Sequence, residues 1–158
     1  MFEKGGEVVF SEQSSTSFSS MTGTGGHTYS SSTYYFKDVL VTAFDSIGTR
    51  EWSTIIPKYQ RTYAGDLGSI SIFMYKNQLY VLYRDNVANR TSLLPERYIA
   101  GDLNTSALVC VKIDESGKMK KSIVMPAPAN KNGLAIKPMW MELTDNEVIL
   151  IGFPGLKL

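Results

Sequence analysis

Two stretches of this chain are copies of one pattern. Residues 39–57, running from Val39 through Asp45, Gly48 and Trp52 to Pro57, align without a gap on residues 108–126, from Leu108 through Asp114 and Gly117 to Pro126. Asp45 to Asp114, Gly48 to Gly117 and Pro57 to Pro126 share one step, 114 − 45 = 69 residues. A fixed period of this kind marks one supersecondary unit used more than once, and it limits the folds available.

What repeats is a strand, a tight turn and a returning strand. Asp can bond the amides of its own turn, and Gly can take φ > 0 where the chain reverses. Gly48 and Gly117 are therefore expected at positive φ, and Asp45 and Asp114 are expected to hold their own hairpins. These two carboxylates are structural in this reading and form no acid–base pair.

The rest of the chain reads the same way. Glu7–Gln13, Tyr35–Phe44, Glu51–Ile56, Ser69–Tyr75, Gln78–Arg84, Ala107–Ile113, Lys118–Val124, Lys137–Leu143 and Glu147–Phe153 are short runs rich in Val, Ile, Tyr and Phe, bounded by Gly, Asn, Asp or Pro. No long stretch places apolar residues at i, i+3, i+4 and i+7, so the chain is expected to be all-β. Its units fall at about 7–57, 69–126 and, incompletely, 137–153. Each is an antiparallel four-stranded meander or part of one, and such meanders repeating along a chain look like β-propeller blades, here about two and a quarter. A partial set implies a piece of a larger protein, or association through the edge strands Glu7–Gln13 and Glu147–Phe153 into a homo-oligomer.

Ala43-x-Asp45-x-x-Gly48-x-x-x-Trp52 resembles the repeat of quinoprotein-like propellers, although the turn is one residue shorter and Lys121 stands where Trp52 would recur. The wider set is more similar to uncharacterised propeller-like proteins of the Bacteroidetes. It comprises Gly5-Gly6 with Glu12-Gln13, then Trp52 with Ile56-Pro57-Lys58-Tyr59-Gln60, then Tyr83-Arg84-Asp85-Asn86 with Asn89. That resemblance implies a propeller fold and a periplasmic, surface or secreted setting, with no activity attached. The quinoprotein-like repeat implies that Trp52 docks between units, so Trp52 is expected to be largely buried.

Composition narrows the function. A net charge of +1 offers no field for a phosphate backbone or anionic lipid, so no nucleic-acid partner is expected. No run approaches the ~20 apolar residues of a membrane helix, and no membrane insertion is expected. Cys110 is the only cysteine and reads as a small buried hydrophobe in a strand. His27 is the only histidine, which rules out a multi-histidine metal site within one chain. Its setting, Thr22-Gly23-Thr24-Gly25-Gly26-His27, is followed by a polar tract with no helix signal, and so reads as a loop and no phosphate cradle. Asp85, Asn86 and Asn89 lack the spacing and the closing acid of a calcium loop, and read as turn residues that close a strand. Neither a metal nor a cofactor is expected.

The links Ser14–Tyr34, Lys58–Gly68, Asp85–Ser106 and Ala127–Ile136 are long and alternate with tight ones, so long loops are expected to gather on one rim. Tyr29, Tyr34, Tyr59, Arg61, Tyr63, Arg84, Asp85, Arg90, Arg97 and Tyr98 are its candidate binding residues, since Tyr and Arg anchor interfaces. The expected function is a non-enzymatic binding or scaffold segment that meets a protein or glycan. The alternative is part of a quinoprotein-like or glycan-active enzyme whose catalytic residues lie outside this chain.

Overall fold

The computed structural model describes residues 5–63, 68, 70–89, 99–100, 105–127, 134–144 and 147–154. They form ten strands with a short 3-10 turn at Val87–Asn89, and no α-helix among the described residues. In chain order the strands are β1 (Glu7–Thr22), β2 (Thr28–Phe44), β3 (Arg50–Ile56), β4 (Gln60–Thr62), β5 (Ser71–Tyr75), β6 (Gln78–Asn86), β7 (Ser106–Ile113), β8 (Met119–Met125), β9 (Leu134–Leu143) and β10 (Val148–Pro154). Every pairing between these strands is antiparallel, and one isolated parallel bridge joins Gln60 of β4 to Ala100.

Three sheets result. Sheet A runs β1-β2-β3, with β4 added to β2 opposite Tyr34–Phe36. Sheet B is a four-stranded meander, β5-β6-β7-β8. Sheet C is the β9-β10 hairpin, and β9 lies closest to β5 and β6. In sheets A and B the turns at Asp45–Thr49, Lys76–Asn77 and Asp114–Lys118 lie at one end, while the tight turn Gly23–His27 lies at the far end of the β1–β2 ribbon.

The two repeated turns match bond for bond. Asp45 N donates to Thr49 O at 2.9 Å and Gly48 N to Asp45 O at 3.1 Å; Asp114 N donates to Lys118 O at 3.1 Å and Gly117 N to Asp114 O at 3.0 Å. The Asp45 carboxylate accepts from the amides of Ile47 and Thr49 at 3.0 and 2.8 Å, and that of Asp114 from Ser116 and Lys118 at 2.9 and 3.0 Å. Gly48 and Gly117 sit at φ 83° and 81°. A bond from the Ser116 hydroxyl, together with those amides, holds the Asp114 carboxyl below its usual range.

The core lies between sheets A and B. Directly paired residues share a face of a sheet. Val8 and Phe10 therefore lie with Ala43 and Val41, while Leu79, Val81 and Tyr83 lie with Ile113, Val111 and Val109. Val39, Val41 and Ile56 from sheet A and Leu79, Val81, Tyr83, Val109, Val111 and Ile113 from sheet B form one buried cluster.

Equivalent strands enter this core with opposite faces. Val39 and Val41 point in, but their equivalents one period on, Leu108 and Cys110, lie on the far face of sheet B. Conversely, Val109 and Val111 point in, while their equivalents Leu40 and Thr42 lie on the outer face of sheet A. The two copies stack front to back, as units of a repeating stack must, and not like faces as in a two-fold sandwich.

The structure corrects the loop reading of Ser14–Tyr34. These residues continue β1 and β2 into a long ribbon paired down to Thr22 opposite Thr28, with a register shift between Glu12 and Ser14. Thirteen of the twenty residues 14–33 are Ser or Thr and none is charged at neutral pH. The stretch lacks the apolar alternation by which strands are recognised, but Thr, Tyr and Phe suit extended backbone.

Candidate functional site

The expected rim residues that are described fall in more than one place. Tyr29 lies near the tip of the β1–β2 arm and is exposed. Tyr34 is half-buried in β2, while Arg61 and Tyr63 are exposed beside it at the base of the arm. Tyr59 is half-buried, as is Arg84 in β6, whose carbonyl oxygen accepts from Gln60 Nε2 at 2.5 Å. Arg90, Arg97 and Tyr98 lie outside the described residues.

Asp85 is corrected as a rim residue: it stands near the end of β6, on the inner face and 1% exposed, where its bonds to Asn86 and Asn89 close the strand. Its Oδ2 accepts from Lys121 Nζ at 2.5 Å, and its Oδ1 from Asn89 Nδ2 at 2.7 Å and the Asn86 amide at 2.8 Å. The Lys121 ammonium also lies 5.8 Å from the centre of the Tyr83 ring. Lys121 occupies the alignment position of Trp52, and both side chains turn inward: one docks an indole on a neighbour, the other sinks a cation onto a buried carboxylate.

A second buried cation sits nearby. Lys58 Nζ pairs with Glu12, donates to Gly68 O at 2.7 Å and lies 5.1 Å from the centre of the Phe36 ring. Burial lowers the Lys58 pKa, opposed first by the charge and hydrogen bond of Glu12 and then by the charge of Asp85. A Cβ on Gly68 would fall 1.9 Å from the Phe36 ring, so only glycine fits there. Lys58 is 1% exposed, which closes its amine to any substrate. Each pair is internal to one side, Lys58 with Glu12 on sheet A and Lys121 with Asp85 on sheet B. The bonds that cross between the sheets here are those of the Tyr83 hydroxyl, which donates to Pro57 O at 3.3 Å, and of Gln60 Nε2 to Arg84 O. Sequence gives little warning of either cation, because an inward Lys in a strand is read as a solvated one until its partner is seen.

Trp52 is half-buried rather than enclosed, yet it does reach sheet B. Its Nε1 donates to Glu115 O at 2.9 Å. Its ring lies so close to Gly117 that a Cβ there would fall 2.8 Å from the ring carbon Cδ2.

Among the described residues no group of three or more His, Cys, Asp or Glu could hold a metal ion. Burial pushes the Cys110 thiol up from 9.0 to about 11. Two pKa units leave about 100-fold less thiolate, so iodoacetamide at pH 8 should alkylate Cys110 about 100-fold more slowly than a small free thiol. Alkylation at the free-thiol rate would show the site to be open.

What remains accessible is the arm. Beyond β4 it is two strands wide, with no further sheet beneath it among the described residues, and it reaches about 30 Å at ~3.3 Å per residue. It exposes Phe18 (80%), Met21 (73%) and Tyr29 (69%) among hydroxyls that pair across the strands, such as Ser19 with Ser31 at 2.7 Å. Met21 and Tyr29 pair directly and share one face of the ribbon as adjoining exposed apolar side chains, while Phe18 lies on the opposite face. The sequence pointed to Tyr29 but gave no reason to single out Phe18 or Met21, which only the ribbon pairing brings into view. No described helix is long and apolar enough to cross a membrane. No family model, curated protein or solved structure matches the chain.

Proposed function

We propose that this chain is a non-enzymatic binding or scaffold segment of a propeller-like protein, stacking its sheets as blades and presenting the β1–β2 arm to a neutral glycan or a protein. The blade reading is supported by the front-to-back packing of equivalent sheets and by Trp52 resting on the turn of the next unit. The bacterial envelope or secreted setting is supported by the likeness of its Gly-Gly, Trp and Tyr-x-Asp-Asn segments to Bacteroidetes proteins.

The observation that carries the binding role is the uncharged arm with Phe18, Met21 and Tyr29 in water. Aromatic faces beside hydroxyls suit sugar rings, and the lack of charge disfavours a partner recognised by ion pairs.

The test is direct binding of the intact chain to immobilised neutral polysaccharides (glucan, mannan and galactan). The triple variant Phe18→Ser, Met21→Ser, Tyr29→Ser is expected to bind at least about tenfold more weakly with an unchanged melting temperature, since these side chains touch no core. Equal binding by the variant, or no binding of any of the three by the parent chain, would remove the glycan role from the arm.

A further inference from the structure

The contact between sheets A and B has a counterpart that no described residue fills. On sheet B, the turn Asp114–Gly117 carries the Trp52 indole, with Nε1 donating to Glu115 O at 2.9 Å and the ring packed on Gly117. One period earlier, at the identical turn of sheet A, Glu115 corresponds to Ser46 and Gly117 to Gly48. No described atom lies within 4 Å of a Cβ built on Gly48.

A cleft of about 300 Å³ opens there, lined by Gly5, Glu7, Val9, Phe44, Asp45, Ser46 and Gly48. Register maps this lining onto the inner face of sheet B. Glu7 pairs with Phe44 as Leu79 pairs with Ile113, so Val9 answers to Val81 and Phe44 to Ile113. The cleft thus occupies, on the outer face of sheet A, the place that Trp52 fills on sheet B. The same face leaves Val9, Leu40 and Ile55 exposed.

We propose that this cleft is a seat for an indole side chain, carried on an edge strand of a partner polypeptide that stacks a further unit of this repeat on the outer face of sheet A. The indole N–H donates to the Ser46 carbonyl and the ring rests on Gly48, between Val9 and Phe44. A front-to-back interface has two unlike sides, and among the described residues the outer side of sheet A meets no further sheet. The chain's own Trp52 is committed to Gly117 and does not serve. This inference depends on the packing of sheets A and B and is independent of what the arm binds.

The experiment titrates the intact, 15N-labelled chain with an acetylated, amidated pentapeptide, Glu-Trp-Ser-Thr-Ile, the sequence of residues 51–55. Saturable shifts are expected at the amides of Val9, Phe44, Ser46 and Gly48, and a Leu-for-Trp peptide should bind at least about tenfold more weakly. Two variants block the seat without touching the core. Val9→Lys places a cation in it from an exposed strand position, and Gly48→Asn fills it with a residue that tolerates positive φ. Both should lose the shifts while keeping a dispersed spectrum. Shifts that persist in both variants, equal binding of the Leu peptide, or no shift at millimolar peptide would overturn the proposal. Light scattering adds an independent arm: a dimer of the parent chain lost in Val9→Lys would seat a second copy there and overturn the assignment to a separate partner.

Discussion

Replacing Asp85 by Ala is expected to lower the unfolding free energy by about 3–5 kcal/mol, measured by urea denaturation at neutral pH. The side chains of Lys121 and Asp85 are 0% and 1% exposed. Removing the carboxylate takes from Lys121 the counter-charge of its buried ammonium, and it takes an acceptor from Asn89 and from the Asn86 amide. Burying a charge without its partner costs several times what the pair itself contributes. The double replacement Asp85→Leu with Lys121→Met should therefore be far milder than Asp85→Ala alone, near neutral if the two apolar chains fill the space. A loss under about 1 kcal/mol for Asp85→Ala, the range of surface changes, would mean that Asp85 is not enclosed.

The second large effect is at the contact between repeats. Trp52→Ala should cost about 3 kcal/mol, through lost ring contacts with the core and with Gly117 and the lost bond to Glu115 O. The glycines separate two terms that are usually mixed. Gly48→Ala should cost roughly 1–2 kcal/mol from its left-handed backbone alone, because nothing lies near its Cβ. Gly117→Ala carries the same backbone term plus the displacement of Trp52, roughly a further 1–3 kcal/mol. That extra cost should vanish in a Trp52→Ala background, so a double-mutant cycle isolates it. Equal losses at Gly48 and Gly117 would show that Trp52 does not rest where the fold places it.

Much of the architecture was legible because it is written in periods. The 69-residue step located the two hairpins, and the alternation of β-branched and aromatic residues located the strands of sheet B to within two residues at each end. The arm was hidden because Ser14–Thr33 has strand pairing without a core to impose apolar alternation. β4 was hidden because its three residues, Gln60 to Thr62, are polar and earn their place by pairing with β2.

The buried cations were hidden for a different reason. Lys121 sits on the inward parity of β8, between Met119 and Ile123, but nothing local reveals that Asp85, 36 residues earlier, is placed to receive it. Facing was equally invisible. The gapless alignment of residues 39–57 and 108–126 suggests that equivalent side chains do equivalent jobs, whereas stacking front to back gives Val41 and Cys110 opposite faces. The candidate contact surface on the arm was hidden with it, since Met21 and Tyr29 come together only once the arm is a ribbon.

The measurement that bears most directly on the account is a nuclear Overhauser experiment on the methyl-labelled chain. Front-to-back stacking predicts cross-peaks between the methyls of Val39 and Val41 and those of Val81, Val109 and Val111, and from the Trp52 indole to the Gly117 α-protons. Cross-peaks from Leu40 and Ile55 to Val109 and Val111, with none from Val39 and Val41, would put the other face of sheet A in the core and contradict it.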